Sequence, residues 1–150
     1  MAGAGGVDSD SAASHVTDTD RCPCLSGDAF EDCCAPLLRG AAVAVTAERL
    51  MRSRYSAFAV GDAAYLLATW HPSTRPGELE PDVDVQWRRL DILNTVRGGV
   101  ADATGEVEFR AYWRVLPRSG RDRDGGVLHE RSRFSRENGR WFYVDGTLFG

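Results

Sequence analysis

EVEFRAYWRVL, residues 106–116, alternates between polar and apolar side chains as far as Val115. In an extended chain Val107, Phe109, Ala111, Trp113 and Val115 share one face, and Glu106, Glu108, Arg110, Tyr112 and Arg114 share the other, because successive strand side chains point to opposite sides. A strand written this way packs one face and wets the other. Three further β-like segments lie near residues 87–96, 127–134 and 140–147. Gly98-Gly99, Gly125-Gly126 and Asn138-Gly139 supply turn chemistry at the junctions, so the four segments are expected to form an antiparallel meander.

Upstream of the strands the period changes to that of a helix. Thr46 is placed as an N-cap, Glu48 sits in the first turn where the helix dipole favours it, and Gly61 supplies the stop, which predicts a helix over 47–60. Asp62 caps a shorter helix through AAYLLATW that ends near His71, since the residue before Pro72 is biased away from the α region. At 100° per residue, Ala47, Leu50, Met51, Tyr55, Ala57 and Phe58 gather on one arc, with Arg54 in its middle. Helices followed by a run of strands predict an α+β fold, with the helices packed on one side of a curved sheet.

The chain has 150 residues, 43% hydrophobic and 27% charged, with a net charge of −4. That length is enough for a single domain to bury a real core without cross-links. No apolar run approaches the roughly 18 to 20 residues that span a bilayer, so no membrane span is expected. All eighteen basic residues are Arg. An acidic balance argues against a nucleic-acid footprint, which gathers basic residues on one face of a basic domain. The Arg-rich PRSGRDRDGG, residues 117–126, interleaves its charges with Asp and Gly and reads as a solvated hairpin loop.

Residues 1–20 are mostly Gly, Ala, Ser, Thr and Asp and are expected to be a disordered tail, with His15 a bystander in it. This segment has neither a basic start nor an apolar stretch, and no Arg, so it matches neither a secretory signal nor a transit peptide. A cytoplasmic protein is the expectation.

All four cysteines fall in CPCLSGDAFEDCC, residues 22–34. In a reducing compartment such a cluster points to metal or redox work rather than disulfides. Cys22, Cys24, Cys33 and Cys34 could supply the four thiolates of a closed tetrahedral zinc site. Ser26-Gly27 lets the chain reverse between the two pairs, and Pro23 restricts the first. A dithiol redox site and a partnerless thiol cluster are the competing readings; neither pair has the C-x-x-C spacing of a redox site. Residues 35–45 read as a connector, so the clip spans 21–45 and the main domain 46–150. On that division, Cys33→Ser or Cys34→Ser should disorder the clip and leave the main domain folded.

CPCLSGDAFEDCC resembles the SEC-C zinc-binding motif, C-x-C-x-S-G-x-x-x-x-x-C-C/H. ERLMRSRYSAF, YLLATWHPSTRP, HERSRF and NGRWFYVDGT are similar to segments of the YchJ-like family of bacterial proteins. This resemblance implies one structural zinc per chain, held by Cys22, Cys24, Cys33 and Cys34, and a nuclear transport factor 2-like (cystatin-like) cone from about residue 46. Asp28-Ala29 stands where the motif commonly has Lys-Lys, which takes a basic surface away from the clip. Some relatives carry a second copy of the motif after the last strand; a function needing two clips would require this chain to form a homodimer.

In VLHERSRF, alternation sets Leu128, Glu130, Ser132 and Phe134 on the inner face. An inward Glu130 and an inward Arg54 would each be costly alone, so a buried or half-buried Arg54–Glu130 ion pair is expected. Trp70, His71 and Trp113 are placed at the mouth of a pocket. By analogy with the ketosteroid isomerase class of cones, Glu130 is a candidate base, with Tyr55 or His71 as hydrogen-bond donor. The leading expectation is an adaptor or ligand-binding protein, with the clip docking a protein partner and the cone holding the clip or a small ligand. The alternatives are a small-molecule isomerase or hydrolase using Glu130, and a ribosome-associated or nucleic-acid-associated factor.

Overall fold

The computed structural model describes residues 16–117, 120 and 125–149. His15, most of the expected tail and residues 118, 119 and 121–124 of the hairpin loop lie outside the described residues. The α+β expectation holds. Four strands, β1 (Val85–Arg97), β2 (Thr104–Val115), β3 (Gly125–Glu137) and β4 (Arg140–Leu148), form one antiparallel sheet in sequence order. Irregular register at Trp87/Arg89 and Ile92/Asn94 in β1, and at Arg133/Phe134 between β3 and β4, bends that sheet.

Three helices precede it: α1 (Ala35–Leu38), α2 (Ala47–Val60) and α3 (Ala63–Ala68). The expected caps are in place, with Thr46 Oγ1 accepting from Arg49 N at 3.0 Å and Asp62 Oδ1 from Tyr65 N at 3.0 Å. Gly61 takes the left-handed conformation at φ 79°. Helix α3 stops before His71 because its exit is drawn into the sheet. Tyr143 N donates to Thr69 O at 2.8 Å and His71 N to Tyr143 O at 2.7 Å, a short parallel pairing with β4 that a helix could not make.

Helix α2 packs on the sheet face that carries Val107, Phe109 and Phe134. Register sets Phe109 opposite Glu130, Ala111 opposite Leu128 and Val107 opposite Ser132, so the inner faces of β2 and β3 are those the alternation indicated. Asn138-Gly139 makes the expected tight hairpin, with φ of 54° and 79°.

Four expectations are corrected. Gly125-Gly126 lies inside β3 rather than at a turn, because Trp113 lies across it; a Cβ on Gly126 would come within 2.9 Å of the Trp113 ring. Residues 35–38 of the expected connector form α1, with Pro36 in its first turn, where a missing N–H costs nothing. The ordered chain reaches further back than residue 21, since Phe30 N donates to Asp20 O at 2.8 Å and Glu31 N to Asp18 O at 2.9 Å. Finally, the clip is not a separate body. Cys22, Cys24, Phe30, Cys34 and Leu37 share one hydrophobic core with Leu50, Met51 and Tyr55 of α2. No helix among the described residues is long and apolar enough to cross a membrane.

Candidate functional site

The cysteine loop folds as a tight knuckle. Cys22 N donates to Asp28 O at 2.9 Å and Leu25 N to Cys22 O at 3.0 Å, while the reversal runs through Leu25 (φ 64°) and Gly27 (φ 99°). A single 3₁₀ turn, Phe30–Asp32, then delivers Cys33 and Cys34 to the start of α1. All four sulfurs, each on a buried residue, lie within 4.8 Å of one another. Cys24 and Cys33 are 3.6 Å apart and Cys33 and Cys34 3.9 Å. Four thiolates at about 2.3 Å around a tetrahedral ion stand about 3.8 Å from one another, so the donor set fits a metal ion of that kind.

Left to themselves the sulfurs share protons. Hydrogen bonds from Cys24 and Cys34 hold Cys22 far below the ordinary thiol range, and the bond to Cys22 pushes Cys24 up to about 11 and Cys34 higher still. A divalent cation would replace those protons. Four thiolates around it leave two negative charges in excess, and α2 meets the cluster with two arginines. Arg49 Nη1 reaches Cys34 Sγ at 3.5 Å, Arg49 Nη2 donates to Cys33 O, and Arg52 Nη1 donates to Cys24 O at 2.8 Å. Ser56 of the same helix contacts Cys22 Sγ at 3.5 Å. The spacing 49, 52, 56 puts all three on one helix face, a signal present in the sequence but unassigned there.

On another face of α2 a cavity of about 300 Å³ opens between the helix and the sheet. Arg54, only 4% exposed, lines it, as do Glu130 and Ser132 of β3 and Tyr143 of β4. The expected Arg54–Glu130 ion pair is absent. Arg54 Nη1 instead donates to Leu66 O at 2.8 Å and to Thr69 Oγ1 at 2.7 Å at the end of α3, where the Thr69 hydroxyl in turn donates to Tyr65 O at 2.8 Å. The guanidinium lies 5.1 Å from the Trp70 ring centre and 4.7 Å from that of Tyr143. Burial lowers its pKa to about 10, with the charge of Glu130 among the partial offsets, so it stays cationic at neutral pH.

Glu130 is held from the other side. Its Oε2 accepts from Ser132 Oγ at 2.8 Å and from the Tyr143 hydroxyl at 3.1 Å. Its carboxylate lies against Gly146, where a Cβ would meet Oε2 at 2.0 Å. Burial, and then the negative charge of Glu130, raise the Tyr143 phenol. Tyr143 is the cavity residue the sequence reading missed. The alternation of β4, which sets it on the same face as the buried Trp141, was the available signal.

The other candidates divide. Tyr55 and Trp70 line the cavity. The Tyr55 hydroxyl approaches the Arg89 main chain without reaching hydrogen-bond geometry, and the buried Trp70 indole N–H has no partner among the described residues. His71 and Trp113 do not line it. His71 turns outward, its Nε2 2.7 Å from Glu137 Oε2 and its Nδ1 2.7 Å from Ser73 Oγ, because its main chain is tied to β4. Trp113 is occupied by Gly126.

Two family profiles match the chain: the SEC-C motif over residues 19–36, and the YchJ middle NTF2-like domain over residues 46–146. A UPF0225 protein of Streptomyces coelicolor is 50% identical over 130 residues, covering 87% of this chain and 97% of its own. One from Corynebacterium glutamicum is 48% identical over 128 residues, covering 85% and 97%. The solution structure of RPA3114, a SEC-C motif containing protein from Rhodopseudomonas palustris, matches with a TM-score of 0.71 at 34% identity, over 86% of this chain and 98% of that one. A SEC-C motif containing protein from Psychrobacter arcticus, 24% identical with a TM-score of 0.67 over 89% and 85% of the two chains, shares the fold. With a cysteine knuckle packed on a helix-backed antiparallel sheet and these profiles covering both parts, the chain belongs to the YchJ family, as a SEC-C motif followed by the YchJ middle NTF2-like domain.

Proposed function

We propose that this protein binds a small ligand in the cavity between α2 and the sheet, and that the cysteine clip holds one structural zinc that anchors α2. The observation that carries the reading is Arg54: a cation 4% exposed, lining a cavity, whose hydrogen bonds among the described residues go to a carbonyl and a hydroxyl and not to a carboxylate. Retaining a buried charge that the fold leaves incompletely partnered is costly, and such groups gather at binding sites. A structural clip agrees with a closed four-sulfur set, which leaves a metal no open position for chemistry.

Two measurements test it. Elemental analysis of the purified protein should return about one zinc per chain. Two-dimensional NMR screening against a set of small organic molecules should give shifts that cluster at Arg54, Trp70 and Tyr143. Shifts scattered over the surface, or none, would sink the ligand-binding reading while leaving the zinc result standing.

Docking of a protein partner on the outer face of the clip is a second reading, favoured by Leu25, 50% exposed at the knuckle's reversal. A photo-crosslinking residue at position 25 that gives one discrete adduct in the host would support it. Recovery of only uncrosslinked protein would count against it.

A further inference from the structure

The hydrogen-bond inventory of the cavity indicates what kind of ligand it takes. Nη1 of Arg54 is fully used, donating to Leu66 O and Thr69 Oγ1. No acceptor among the described residues takes Nε or Nη2, which together form one edge of the guanidinium fork. That edge matches the two oxygens of a carboxylate, each taking one N–H. The rings of Trp70 and Tyr143 flank the guanidinium, so the open edge is what remains for a partner.

Glu130 offers the complementary vacancy. Its Oε2 already accepts from Ser132 and Tyr143, whereas Oε1 has no donor among the described residues. A hydroxyl or an ammonium would fit there. Glu130 also sets a limit, because a dianionic head such as a phosphate would face a second negative charge in the same small room. Beyond the Tyr55 hydroxyl and the Trp70 indole N–H, both without a partner among the described residues, the rest of the wall is apolar: Met51, Phe58, Trp87, Phe109, Ala111 and Leu128. A volume of about 300 Å³ stands at the low end of small-molecule sites.

We infer that the cavity recognises a small organic acid with an apolar body, its carboxylate on the open edge of Arg54 and an adjacent hydroxyl or ammonium on Glu130: an amino or hydroxy acid with a large apolar side chain. This rests on the ligand-binding reading above and adds the ligand's chemistry to it.

The test is an NMR titration of the full, metal-loaded chain with four probes: L-phenylalanine, L-3-phenyllactate, 3-phenylpropionate, which lacks the donor, and 2-phenylethanol, which lacks the carboxylate. Phenylalanine or phenyllactate should bind at least about tenfold tighter than both truncated probes, since a buried site left with unpaired polar groups rejects the analogue that lacks them. Arg54→Lys keeps the cation but loses the fork. It should weaken the acids at least about tenfold and leave 2-phenylethanol unchanged. If that variant does not fold, the ranking of probes on the unaltered protein decides alone. Equal binding of 2-phenylethanol and the acids would overturn the inference while keeping a ligand site. No shift from any probe would overturn the inference as well, and the wider screen would then decide whether the cavity binds anything.

Discussion

Arg54 and Glu130 face one cavity without touching, because Tyr143 stands between them, its ring 4.7 Å from the guanidinium and its hydroxyl 3.1 Å from the carboxylate. The tyrosine deals with both charges at once. Its π face attracts the cation and its O–H satisfies the anion, so the two ends of the cavity keep unused hydrogen-bonding capacity that a direct ion pair would have consumed.

Tyr143→Phe separates those two roles. The ring stays over Arg54, and one hydrogen bond to Glu130 is lost. The expected cost in chemical denaturation is about 1.5 to 3 kcal/mol, the range for a hydrogen bond to a charged group. Tyr143→Leu removes the ring as well and should cost more. If the two variants were equally stable, the cation–π contact would contribute nothing.

Gly146→Ala tests how Glu130 is positioned. The new Cβ would lie 2.0 Å from Glu130 Oε2, so the carboxylate must swing away or the strand must shift. A loss of about 1 to 3 kcal/mol is expected, as for other insertions into a packed site. Chemical shifts around Ser132 and Tyr143 should move with it. A variant as stable as the parent, with unmoved shifts, would place Glu130 elsewhere in solution.

Removing the metal should be felt across the molecule. The sulfurs share a core with Leu50, Met51 and Tyr55, and Arg49 and Arg52 bind the clip's carbonyls. Cys34→Ser, or chelation, should therefore lower a single thermal transition, with a loss of about 3 kcal/mol or more given the scale of structural zinc sites. Two resolved transitions, one of them unchanged from the parent, would show that the clip folds on its own.

The tyrosines predict alkaline sensitivity. Burial first of all raises the phenols of Tyr55, Tyr65 and Tyr143 above their ordinary value. An unfolded chain releases these protons from about pH 10. The folded chain keeps them, so their contribution to stability is fully present below pH 10 and is lost as pH rises above it. Arg54, lowered to about 10, acts in the opposite sense over the same range, because there the unfolded chain binds the proton more tightly. Three groups against one should make stability fall above pH 10. Tyrosinate absorbance followed against pH should lag in the folded protein and rise with unfolding. Early, gradual ionisation of all four tyrosines would mean that these phenols are not buried.

What the sequence by itself determined was everything encoded in local repetition. Alternation in residues 106–116 named the buried face of β2, and Thr46, Gly61 and Asp62 bounded the helices, because strand pleat and helix caps depend on neighbours in the chain. The four cysteines were legible for the same reason: two close pairs flank the Ser26-Gly27 reversal within thirteen residues. What only the tertiary structure decided was which groups meet across elements. Helical spacing put Arg54 inward and strand spacing put Glu130 inward, but the register of β4, with its irregularity at Arg133/Phe134, inserted Tyr143 between them. The same pairing of residues 69–71 with β4 turned His71 out of the cavity, and Gly126 drew Trp113 away. The clip's place in the shared core was also invisible in its own thirteen residues, since it depends on a face of α2 whose Arg49, Arg52 and Ser56 acquire meaning only when the two segments touch.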